Sequence, residues 1–103
     1  MKFDDYQDKT EETAVYPEEN AIEYLALGLN GEAGEVAEKI KKSIRDDKEL
    51  GDEMKDELGD ILWYLAQLSD ELGYDLSEVA GRNIEKLFDR KERDKLHGSG
   101  DDR

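Results

Sequence analysis

Apolar residues recur every three or four positions through most of this chain and nowhere alternate in the manner of a strand. Ile22, Leu25, Ala26, Leu29, Ala33, Val36, Ala37, Ile40 and Ile44 fall on one stripe of a helix. Pro17, followed by Glu18 and Glu19, marks its start, because proline suits the first helical turn and acids favour a helix N-terminus. Gly28, Gly31 and Gly34 interrupt the stripe. Each costs about 1 kcal/mol against alanine in a helix interior, so they suit a kink or a close helix approach. After a charged connector at Arg45–Gly51, a second helix carries Met54, Leu58, Ile61, Leu62, Leu65, Leu68 and Leu72, and Gly73 is its stop signal. Asp75 with Glu78 has the spacing of a capping box, which predicts a third helix from Leu76 to about Arg93. The first fifteen residues are expected to hold one short helix. The pattern predicts an all-α fold, an antiparallel helical bundle forming one domain over residues 1–97, with a polar tail at 98–103.

The chain has 103 residues, 36% hydrophobic and 43% charged. A core built from so little apolar material is thin, so oligomerisation is the expected completion of the bundle. Trp63 lies nearly opposite the stripe of its helix, and Phe88 is also off-stripe, which suits a subunit contact for both. The formal charge of −14 argues against duplex nucleic acid and against an anionic membrane surface, since both need clustered Lys and Arg. The sequence has no cysteine, so disulfides, thiolate metal sites and cysteine nucleophiles are excluded. Met1–Asp5 has no apolar core of the kind a signal peptide needs, and the longest apolar run, Ile61–Ala66, is too short to span a bilayer. A cytoplasmic location is the expectation.

Against this background two acidic pairs stand out, Glu32-x-x-Glu35 and Glu57-x-x-Asp60. By helical phase Glu32 lies about 40° from Val36, at the edge of the apolar stripe. Glu35 lies further out on the same side, with Lys39 between them. Glu57 and Asp60 occupy the matching edge of the next helix, beside Leu58 and Ile61. If the two helices pack antiparallel along their stripes, up to four carboxylates converge. They would repel unless neutralised, and Mg²⁺ or Mn²⁺ suits such oxygen donors. Glu-x-x-Glu is also common on solvated helix faces, so either pair alone says little. A di-iron centre would need Glu-x-x-His, and the only histidine is His97. An EF-hand is excluded as well: Asp46, Gly51 and Glu57 fit its spacing, but Lys48 and Leu50 stand where carboxylate ligands belong.

Residues 82–95 hold six Lys or Arg against four acids, and Asn83, Lys86 and Arg90 share one helical face with Arg93 close by. Such groups either grip phosphate oxygens or pair with neighbouring acids such as Glu85 and Asp89. The tail Gly98-Ser99-Gly100-Asp101 could wrap a phosphate through its backbone N–H groups.

Gly31-Glu-Ala-Gly-Glu-Val-Ala-Glu38, Asp56-Glu-Leu-Gly-Asp-Ile-Leu-Trp-Tyr-Leu65 and Asn83-x-x-Lys86-x-x-x-Arg90 together resemble the MazG-like family of all-α nucleoside triphosphate pyrophosphohydrolases. The resemblance runs from about Glu23 to Arg93. It implies that Glu32, Glu35, Glu57 and Asp60 bind Mg²⁺, with Mn²⁺ as a substitute, and that Glu35 and Glu57 are catalytic. It further implies that Asn83, Lys86 and Arg90, joined by Lys39 and Arg93, contact a nucleoside triphosphate cleaved between its α- and β-phosphates. A homodimer or homotetramer is the implied assembly. Glu38 is a candidate base, although it points away from the Glu32 edge. Two rival readings remain, an acidic helical interaction module and a divalent-cation binder without catalysis.

Overall fold

A computed structural model describes all 103 residues. It has four α-helices and no strand: α1 Phe3–Thr10, α2 Ala21–Asp46, α3 Glu53–Glu71 and α4 Leu76–Glu92. The fold is all-α, as the periodicity predicts. Pro17 precedes a 3₁₀ turn, Glu18–Asn20, that runs directly into α2.

α2 continues unbroken through its three glycines, and only one of them serves a close approach. A Cβ on Gly28 would lie 2.1 Å from Cε1 of Tyr64, whereas nothing stands within 4 Å of the same position at Gly31 or Gly34. The Tyr64 ring therefore fills the space of a missing side chain and seats α3 on α2. Further along, Lys39 meets Glu57. The α3 partner number falls as the α2 number rises, so the two helices are antiparallel. Between them α2 ends at Asp47, whose φ of 50° is left-handed.

The turn between α3 and α4 is a Schellman motif. Gly73 takes a φ of 82°, its N–H donates to Asp70 O at 3.0 Å, and Tyr74 N–H donates to Ser69 O at 2.8 Å. Glycine accepts that φ without a Cβ penalty. The α4 cap is also where its spacing puts it, with Asp75 N–H donating to Glu78 Oε1 at 3.2 Å.

α1 packs against α3 and α4 through a buried amide. Gln7 Nε2 donates to Tyr74 O at 3.0 Å and Ala66 O at 3.4 Å, and Gln7 Oε1 accepts from Leu76 N–H at 2.8 Å. Thr10 Oγ1 accepts from Gln67 Nε2 at 2.7 Å. Asp4 caps α4 by accepting from the N–H and hydroxyl of Ser77. No buried side-chain polar atom lacks a partner, so this polar seam avoids the cost of unmet hydrogen bonds.

Trp63, expected to stand exposed on one chain, has a partner within it. It is half-buried, and its Nε1–H donates to Thr13 Oγ1 at 2.8 Å. Helical phase places the indole off the stripe of α3, but the segment after α1 crosses that face and covers it. Phe88, by contrast, is 57% exposed.

The core is small. Ala21, Leu25, Ala66 and Leu76 are its only fully buried apolar residues, while Leu27 and Ile44 are 74% and 78% exposed. Leu58 and Ile84 are also open to solvent. Packing within one chain thus covers only part of the predicted stripes. No helix is long and apolar enough to cross a membrane.

Candidate active site

The Gly28–Tyr64 contact determines what faces what across the α2–α3 seam. Glu32 is one turn beyond Gly28, and Asp60 is one turn before Tyr64, so each lies on the same face as its neighbour in the contact. Carboxylate oxygens of Glu32, Glu57 and Asp60 come within 4.8 Å of one another. These three of the four predicted acids are brought together. Glu35 is exposed and outside that trio, although its charge still acts on Glu32. Lys39 lies across the seam with its Nζ 3.4 Å from Glu57 Oε1.

The electrostatics follow from this crowding. Partial burial, then the charges of Asp60, Glu57 and Glu35, push the Glu32 carboxyl above its ordinary value of 4.5. Two phenols feel the same field. Tyr6, on α1, is raised by burial and then by Asp60. Tyr64 is raised by burial, then by Tyr24, Glu32 and Asp60. Tyr6 carries no motif that would single it out in the sequence; only the docking of α1 brings it near Asp60. Three carboxylates with one lysine leave an excess of negative charge, and oxygen donors so arranged fit a hard divalent cation.

Glu38 does not join the site. It pairs with Lys41 at 3.0 Å and Lys42 at 3.8 Å on its own helix. The Lys41 hydrogen bond is the main cause of its lowered carboxyl pKa.

The basic face of α4 is divided. Asn83 and Lys86 open onto a groove of about 620 Å³, lined also by Tyr74, Glu78, Val79 and Arg82. Arg82 was legible as a neighbour of Lys86 at i, i+4, but Tyr74 sits in the preceding turn, outside the helical pattern. Arg90 and Arg93 do not line this groove. Arg90 is only 5% exposed, and its guanidinium donates to the main-chain oxygen of Asp101. Arg93 bonds Asp89 Oδ2 at 2.9–3.0 Å and the main-chain oxygen of Arg103 at 2.7 Å.

Comparison with known proteins agrees with this architecture. The family model of the MazG nucleotide pyrophosphohydrolase domain matches residues 20–94, a span that contains all four acids and the whole basic face. The chain is also similar to the Gene 37 protein of Mycobacterium phage L5, at 43% identity over 114 residues covering the full length of both. No solved structure matches.

Proposed function

The chain belongs to the MazG nucleotide pyrophosphohydrolase domain family, and from that premise we propose that it is a Mg²⁺-dependent hydrolase of nucleoside triphosphates. It cleaves between the α- and β-phosphates and releases a nucleoside monophosphate and pyrophosphate. The observation that carries this reading is the convergence of Glu32, Glu57 and Asp60 from two helices. In this reading those three carboxylates hold the metal, and Glu35 joins them as the fourth acid. A divalent ion held there offsets the charge of the triphosphate and lowers the pKa of a bound water. Glu57 holds Lys39 at the edge of the cluster, where the ammonium balances the carboxylates and is placed to meet an anionic substrate. Asn83 and Lys86 offer an amide and a cation to phosphate oxygens, with Tyr74 and Arg82 beside them in the groove.

The active form is a homodimer or homotetramer. Leu27, Ile44, Leu58, Ile84 and Phe88 are exposed on one chain, and a second copy is the occupant that covers such apolar surface.

Incubation with a panel of nucleoside triphosphates and Mg²⁺ tests the activity. The expected result is pyrophosphate release that stops with EDTA. Orthophosphate as the product, or turnover indifferent to metal, would refute it. Metal binding without turnover would favour the non-catalytic cation binder.

A further inference from the structure

Arg90 is a buried charge without a counter-charge. None of the protein's ion pairs involves it, and it is 95% withdrawn from solvent. The partner it has is a neutral main-chain oxygen, that of Asp101. A guanidinium so placed loses hydration without gaining an anion, which is an unfavourable position for a full charge. The Asp101 oxygen belongs to the segment 98–103, which lies against the guanidinium. The chain leaves α4 through Asp94 at a φ of 56°, and Gly98 and Gly100 take φ values of 145° and 86° as it doubles back. Arg103 then fastens the turn with three hydrogen bonds, to Lys95 O at 3.2 Å, Leu96 O at 2.8 Å and Gly100 O at 2.7 Å. The same segment supplies the main-chain oxygen that Arg93 bonds.

We propose that Arg90 and Arg93 form an oxyanion site for the pyrophosphate group, closed in the free protein by residues 98–103 acting as a displaceable strap. The proposal rests on the reading that these arginines serve a phosphate substrate. A phosphate group accepts charge-assisted hydrogen bonds, roughly twice as strong as those to a neutral carbonyl. The arginine fork also matches two of its oxygens. Binding therefore exchanges the oxygens of Asp101 and Arg103 for those of the ligand, and the strap must lift. Its glycines permit the movement, because neither backbone is confined by a Cβ.

The test is calorimetric titration of the full chain with inorganic pyrophosphate, without added metal. Arg103→Ala removes the three fastening bonds and leaves both arginines in place. The expected result is binding tighter on the order of tenfold, about the worth of one hydrogen bond to a charged group. The double variant R90A/R103A should lose that gain. Binding by R103A no tighter than the parent, or a gain that survives in R90A/R103A, overturns the proposal. Circular dichroism confirms that the helices persist, and deletion of 98–103 provides a second way to open the strap. Turnover measured on the same proteins separates the two ideas. Activity without the gain discards the strap alone, whereas the gain without activity discards the hydrolase reading alone.

Discussion

Gly28→Ala is the substitution with the clearest physical consequence. In an unobstructed helix this change stabilises by up to about 1 kcal/mol. Here the new Cβ would stand 2.1, 2.5 and 2.8 Å from Cε1, Cζ and Cδ1 of Tyr64. Carbon contacts settle at about 3.5–4.0 Å, so the ring or the helix must retreat by roughly 1.5 Å. Overpacking of that kind costs about 1–3 kcal/mol, which outweighs the gain in propensity. The net loss is up to about 2 kcal/mol. For a domain of this size each kcal/mol moves the midpoint by about 4–8 °C, so the thermal melt followed by circular dichroism should fall by up to roughly 15 °C. Because Glu32 and Asp60 each sit one turn from the contact, the same displacement spreads the carboxylates. Mg²⁺ binding should weaken along with stability. Gly34→Ala, with nothing near its Cβ, is the control and should raise the melting temperature slightly. Removing the ring should rescue the clash, so Gly28→Ala should cost far less when made on a Tyr64→Ala background. A melting temperature for Gly28→Ala equal to or above that of the parent would refute the reasoning.

Other outcomes follow from single contacts. Asp60→Asn should stabilise the metal-free protein by relieving repulsion on Glu32, yet abolish stabilisation by Mg²⁺, which in the parent should be about 2.7 kcal/mol at a hundred times the Kd. That stabilisation should shrink as pH falls through the raised Glu32 pKa, because the ion must then displace a proton; equal thermal shifts at neutral and acidic pH would contradict it. Glu11 is raised above 4.5 by a hydrogen bond to Asp70 and then by that residue's charge. A folded acid that binds its proton more tightly than the unfolded chain contributes stability as pH falls from neutral toward 4.5. Glu11→Gln should therefore flatten the pH dependence of the melt and raise its midpoint at neutral pH. Tyr16 stacks on Tyr24, and its hydroxyl lies 2.6 Å from a Glu71 oxygen and 3.0 Å from Gln67 Oε1. Tyr16→Phe should cost about 0.5–1.5 kcal/mol in denaturant unfolding.

Helix boundaries were readable where one local rule determined them. Gly73 and the Asp75–Glu78 pair act within a single turn, and α4 begins at Leu76 as that pair requires. The α2–α3 pairing and its acidic edge were readable because periodicity gives the facing stripes. What escaped were contacts between residues that no local rule connects. Nothing in the spacing of Gly28, Gly31 and Gly34 says which one receives an aromatic ring, because that depends on the register of a second helix. Helical phase alone leaves Trp63 exposed because it ignores chain segments outside the helix, and Thr13 lies in one. The same phase puts Asn83, Lys86, Arg90 and Arg93 on one face, yet only Asn83 and Lys86 open onto the groove. Phase could not reveal that residues 98–103 return to bond only its last two arginines.

The amide of Gln7 also bears on the order in which this protein comes together. Its partners lie 59, 67 and 69 positions ahead in the chain, and the Asp4–Ser77 cap spans 73. On a ribosome α1 is therefore made well before anything it can hold, while α2 and α3 need only a short connector to meet. Loop closure favours the nearer encounter, so the carboxylate seam can assemble while α1 still waits. The docking of α1 then becomes the closing event of folding, and the step by which Tyr6 arrives beside Asp60.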